Sequence, residues 1–254
     1  MRRTRSSFFL KVFIVVSLFV ATSLVFFTQK VDAFNMGYHY QMIRDALLKE
    51  GFNDDALKLV LLGNSYVDLF QTDATSNLLD DNFCERAKEL VDVFHFDGLP
   101  NKDFIDVYYR RLLTNTYEEV RQLVSANDSQ GDPSGLLLLV GITSHILEDF
   151  YAHSNWAELD IGSYVNLPDA TYFDIFYRPE ILDEAISDNF ALGLQRYGAD
   201  YAEDSLFTHT YAPSTLPQYQ RPPHDILKKD YAGCPYFDWA YRSAYRATSQ
   251  WVLL

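Results

Sequence analysis

Residues Leu136–Leu159 read LLLLVGITSHILEDFYAHSNWAEL, an apolar run that leads into His145, Asp149 and His153, each four residues after the last. In a helix, positions i, i+4 and i+8 project from successive turns on one side, so the spacing aims two imidazoles and a carboxylate into one shared space. This is a residue set that zinc prefers. A lone histidine on an apolar helix is ordinarily a core residue with its ring nitrogens satisfied. Here, however, three ligand-type residues interrupt a stripe of Leu, Ile and Phe, and a buried Asp is costly without a cation or a donor. The stretch therefore predicts a metal-binding helix.

Outward from this stretch the periodicity stays helical. Tyr38–Glu50 places Met42, Ala46 and Leu47 on one side and stops at Gly51, and Asp54 can cap a second helix through Leu57, Val60, Leu61 and Tyr66 to about Phe70. A third is predicted over Asn82–Phe94, and a long amphipathic fourth over Lys102–Ala126 with its mixed charges as a solvated face. Asp132-Pro133 reads as an N-cap followed by a first-turn proline, opening the ligand helix. Residues 160–180 read as loop, Pro179–Tyr197 returns to helical spacing, and 208–223, with four prolines, reads as an irregular connection. Tyr236 to the end, with Trp239, Ala240, Ser243, Ala244, Ala247 and Trp251, closes with another helix. No strand pattern of comparable length and no internal repeat is present, so the expected fold is all-α.

The first 33 residues read as an export signal: Arg2, Arg3 and Arg5 precede an apolar stretch from Val12 to Phe27, and Val31-Asp32-Ala33 forms a small-residue cleavage site. The competing reading is an N-terminal membrane anchor, but Val12–Phe27 is 16 residues long, short of the ~20 of a spanning helix. Cleavage after Ala33 would leave one domain, residues 34–254, sent to the periplasm or secreted. It would also remove Arg2, Arg3, Arg5, Lys11, Lys30 and Asp32, taking the formal charge from −14 to −18. No Lys/Arg-rich run offers the footprint of a nucleic-acid binder, and the pairs Arg110-Arg111 and Lys228-Lys229 read as ordinary solvated faces. Cys84 and Cys234, the two cysteines, could form a bridge in an oxidising compartment or remain two buried thiols.

Three further ligand types lie upstream: His39, Asp68 and His95. Taken singly they read as a surface histidine, a helix-end carboxylate and a ring packed between Phe94 and Phe96. In order, they resemble the superfamily of zinc-dependent phospholipases C and fungal single-strand-specific zinc nucleases, which are exported and all-helical. The segment GITSHILEDFYAHSNWAEL is most similar to the Het-C (heterokaryon incompatibility) branch, which carries a DFYxHSNW segment; ILKKD at Ile226–Asp230 is a weaker likeness.

The resemblance implies a metal-ligand set of Phe34, His39, Asp68, His95, His145, Asp149 and His153 holding two or three Zn2+ ions. Phe34 would bind through its amino group and carbonyl where the family has Trp. The enzymes complete a third site with a His and a carboxylate four apart, and no such pair follows His153; His209 and His224 have no carboxylate at i+4. The implied activity is phosphoester hydrolysis. Asp149 would be shared by two zincs that acidify a water, and Asp68 would be a ligand or take the proton. The acidity of the chain favours phospholipid head groups, with peripheral membrane contact, over nucleic acid. The competing expectations are a non-catalytic Het-C-like protein, in which zinc holds helices together and the surface serves recognition or toxicity, and a zinc nuclease.

Overall fold

The computed structural model describes residues 34–70, 94–96, 102–125, 133–175 and 227–254, and positions 180, 181, 184 and 206. All belong to the compact unit that begins at Asp32; the predicted export signal, the body of the predicted helix over 82–94, Cys84, His209, His224 and the proline-rich segment 208–223 lie outside the described residues. Among the described residues there are seven α-helices, one 3-10 turn and no strand, so the fold is all-α.

Helix α1 (Met36–Lys49) starts two residues earlier than its apolar spacing predicts, because the Asn35 side chain accepts the Gly37 amide at 3.1 Å and caps it. It ends before Gly51, whose φ of 82° supplies the left-handed turn out of the helix. In α2 (Asp54–Phe70) the cap is Asn53 and not the expected Asp54. The Asn53 side-chain Oδ1 accepts from Asp55 N at 3.1 Å and Ala56 N at 2.9 Å, leaving Asp54 and Asp55 in the first turn, where the helix dipole favours them. Helix α3 spans Lys102–Ser125, and α4, the ligand helix, spans Ser134–His153. Pro133 is itself the N-cap of α4 and makes no side-chain capping bond, and so is not the first helical residue expected; Asp132 lies outside the described residues.

The expected loop over 160–180 contains two short helices, α5 (Ile161–Val165) and α6 (Tyr172–Ile175). They are too short to register as apolar periodicity and are made locally. Asp160 and Asn166 take left-handed conformations (φ 43° and 58°) at the ends of α5, and Asp174 Oδ2 accepts from Thr171 N at 2.8 Å at the start of α6. Helix α7 (Phe237–Leu253) follows Tyr236, its left-handed N-cap.

Helix α4 is the hub, packing most extensively on α2 and α7 and also on α3 and α1. Although long and apolar enough to cross a membrane by length and composition, it is largely buried by these neighbours. Its backbone meets that of α2 directly: a Cβ on Gly141 would lie 2.1 Å from the Val60 carbonyl oxygen, and one on Gly63 would lie 2.3 Å from that of Leu138. Two glycines thus allow a helix crossing closer than any side chain would permit, and the face of α2 that carries Val60, Asn64, Val67 and Asp68 is buried. Beyond the crossing, Phe150 meets Phe96, Tyr109, Tyr151, Trp156 and Tyr172 edge-on at the centre of an aromatic core.

The DFYAHSNW segment also has a structural task. Helix α4 ends where Ser154 turns extended, Ser154 Oγ accepts the Trp156 amide at 3.2 Å, and Trp156 Nε1 donates to Ala170 O at 3.0 Å. Fully buried Lys229, from the ILKKD segment, donates to Ser154 O at 2.8 Å and Leu227 O at 2.9 Å and lies 3.1 Å from Glu158 Oε1. A cation at the C-terminal end of α4 complements its dipole and ties the two segments together.

Candidate metal centre

Five of the seven expected ligands converge in one buried cluster. His39 comes from α1, Asp68 from α2, His145 and Asp149 from α4, and His95 from the turn after Phe94; none is more than 3 % exposed. The Asp149 carboxylate is the focus. Its Oδ1 lies 3.2 Å from His39 Nε2, and its Oδ2 lies 2.9 Å from His145 Nε2 and 2.7 Å from His95 Nδ1. Asp68 Oδ1 lies 3.6 Å from His145 Nε2. The rings of His39 and His145 stack with centroids 4.1 Å apart, and His95 meets His145 edge-on at 5.1 Å.

Two subsets bring one ligand atom from each member within 4.8 Å of one another: His39, His145 and Asp149, and Asp68, His95 and His145. The residue common to both is His145, whereas the resemblance implied Asp149. His153 falls in neither subset, and Phe34, expected to bind through its backbone, has no side-chain ligand atom to place in one. His153, one turn beyond Asp149, donates from Nδ1 to the His95 carbonyl at 2.8 Å and turns Nε2 toward Asp230 Oδ1 at 3.6 Å. Phe34 is buried with its ring edge-on to His39 at 5.6 Å, and the next residue, Asn35, donates from its backbone N to the Asp230 carbonyl at 3.1 Å.

The donor set fits a metal ion. His39 Nε2, both oxygens of Asp68, both ring nitrogens of His145 and Asp149 Oδ1 are buried and make no hydrogen bond. Burying that many polar atoms unsatisfied is expensive, and a cation among them removes the cost. His95 Nδ1 is hydrogen-bonded to Asp149 Oδ2, whereas the approaches of His39 Nε2 and His145 Nε2 to Asp149 lack the alignment of hydrogen bonds. Two ligands each ~2.0–2.1 Å from a tetrahedral zinc would stand about 3.3 Å apart, within the range of these approaches. The chain therefore holds buried His/Asp groups that could bind a metal ion.

Glu148 escaped the sequence reading. It precedes Asp149, so the α-helical rotation points it away from the ligand stripe. It is nonetheless fully buried, accepting from His39 Nδ1 at 2.6 Å, Asn64 Nδ2 at 3.2 Å and Thr248 Oγ1 at 2.8 Å. The available signal was an adjacent pair of acids inside an apolar helix.

The charges are strongly coupled. Burial by itself disfavours the His39 imidazolium, but Asp149 and Glu148 outweigh it and push the ring up to about 10 from 6.5. Burial likewise opposes ionisation of Asp149, and His145, His153 and His39 together hold its carboxyl well below the usual carboxylate range. For metal-stripped protein the His39 contribution to stability is full below pH 6.5 and is lost as pH rises through about 10. The Asp149 contribution is present above 3.8 and is lost as pH falls toward its depressed folded value. Stripped protein is therefore expected to be most stable between pH 3.8 and 6.5 and to weaken steadily from pH 6.5 to 9.5. Zinc affinity should rise over the same interval, because coordination displaces the ring proton. Urea denaturation of the stripped protein across that range checks this, and a stability that climbs with pH would refute it.

In comparisons with known proteins, no protein-family model matches the chain, and no curated protein and no solved structure is significantly similar to it. Fold and site thus define an all-α protein with a buried cluster able to hold a metal.

Proposed function

We propose that the chain is an exported, zinc-dependent phosphoester hydrolase of the phospholipase C kind, acting on phospholipid head groups in preference to nucleic acid. The observation that carries this reading is the convergence of His39, Asp68, His95, His145 and Asp149, from four separate parts of the chain, on one space. The order of these residues and the DFYAHSNW segment support it by resemblance, and the mature charge of −18 disfavours a polyanionic substrate.

In this reading His39 and His145 present ring nitrogens, Asp149 offers an oxygen on either side, and Asp68, with two oxygens outside any hydrogen bond, completes the set. Zinc held there would supply Lewis acidity, bringing the pKa of an attacking water toward ~7 and stabilising charge on the phosphoryl oxygens. Asp149 fixes the rings around it, and Asp68 serves as ligand.

A second reading, a non-catalytic Het-C-like protein in which zinc holds the helices together, is favoured by one observation: the cluster is almost wholly buried, and a closed site is the mark of structural zinc. Zinc-loaded protein incubated with phosphatidylcholine vesicles distinguishes the two. Release of phosphocholine that a chelator stops and zinc restores is the expected result. Full zinc occupancy without turnover of vesicles, or of single-stranded DNA in a parallel arm, would favour the structural role; turnover of DNA alone would favour a nuclease.

A further inference from the structure

We infer that Glu148 is a positioning residue for the metal centre: its carboxylate holds the His39 ring so that Nε2 faces Asp149. This rests on the metal-centre reading above and extends it to a residue outside the ligand set. Glu148 is fully buried on α4 and receives a donor from each of three other helices. Its Oε2 takes His39 Nδ1 from α1 at 2.6 Å and Asn64 Nδ2 from α2 at 3.2 Å, and its Oε1 takes Thr248 Oγ1 from α7 at 2.8 Å.

An ionised carboxylate only accepts, so the hydrogen at His39 Nδ1 stays on Nδ1. The lone pair of a neutral ring must then sit on Nε2, the nitrogen that lies 3.2 Å from Asp149 Oδ1 and makes no hydrogen bond. The negative partner also makes that lone pair more basic, as carboxylates behind metal-bound imidazoles do. Asn64 and Thr248 contribute by fixing the carboxylate itself. Asn64 lies four residues before the ligand Asp68 on α2, so the same helix face supplies a ligand and a brace for the carboxylate behind another ligand.

Glu148→Gln keeps the shape and removes the charge, and a double-mutant cycle with His39→Ala tests the link. Zinc affinity is measured by competition with a chromophoric chelator, and far-UV circular dichroism of the stripped proteins serves as the control for folding. The expected result is a ~10–100-fold weaker zinc affinity for Glu148→Gln in the wild-type background. In the His39→Ala background, the same change should cost less than about two-fold. Equal losses in both backgrounds would mean that Glu148 acts only through the fold and would overturn the inference. So would an undiminished affinity in a wild-type chain that binds zinc, which would leave the metal centre standing. A wild-type chain that takes up no zinc overturns both. Should Glu148→Gln not fold, Thr248→Val frees one carboxylate oxygen without removing charge, and a few-fold loss that vanishes in His39→Ala is expected.

Discussion

Alanine at both His145 and Asp149 is expected to strip the chain of bound zinc and abolish its stabilisation by zinc. His145 belongs to both sets of converging ligands, and Asp149 touches three imidazoles, so the two substitutions leave neither set intact. A ligand that binds only the folded state stabilises it by mass action, about 4 kcal/mol when free zinc stands at a thousand times its dissociation constant. That increment should be present in the wild type and absent in the variant. The zinc-dependent difference is the informative quantity, because removing Asp149 also takes the partner of the His39 ring and changes the stripped protein in its own right. Elemental mass spectrometry on protein purified without chelator, beside the denaturation curves, checks it. Two or three zincs per wild-type chain support the hydrolytic cluster and one favours a structural ion. None would remove the basis of the metal-centre argument.

Gly141→Ala is the second large effect, and it arises at a position one turn before His145 that offers no ligand atom itself. The new methyl would meet the Val60 carbonyl oxygen at 2.1 Å and the Asn64 amide nitrogen at 2.7 Å, both backbone atoms that cannot swing aside. Ordinary contact requires about 3.4 Å or more, so α2 and α4 must separate by roughly an ångström, at a cost of about 3 kcal/mol, the upper part of the range for overpacking. The same separation carries Asn64 and Asp68 away from α4, so zinc affinity should fall with stability. Gly135→Ala provides the contrast. It lies near the start of the same helix with nothing within 4 Å of its Cβ, and alanine there is expected to stabilise by about 0.5–1 kcal/mol through lost unfolded-state entropy. Chemical denaturation of the two variants should therefore move in opposite directions. Equal and small shifts would mean that the crossing is looser than the glycines imply.

Much of this architecture was legible because helices announce themselves by local periodicity. The apolar spacing of α1, α2, α3, α4 and α7 located each within one or two residues, and His145 and Asp149 could be paired since i and i+4 meet within one helix whatever surrounds it. The caps were less legible. Asn53 and Asp54 are both good capping residues, and which one caps depends on where the chain enters the helix. The short helices α5 and α6 went unread because a single turn carries too few apolar positions to form a pattern.

By itself, then, the sequence determined the helical class, the central ligand helix and the types of residue available to a metal, since these depend on contacts within a few residues. Only the tertiary structure decided which ligands share a space. It brought His39 and Asp68 to α4 across more than 70 residues of chain. It turned His153 toward Asp230 and placed Glu148 behind His39. These outcomes depend on how closely α2 crosses α4 and on how α1 and α7 pack beside it, and such distances are set by backbone approach at Gly63 and Gly141, which no local pattern encodes.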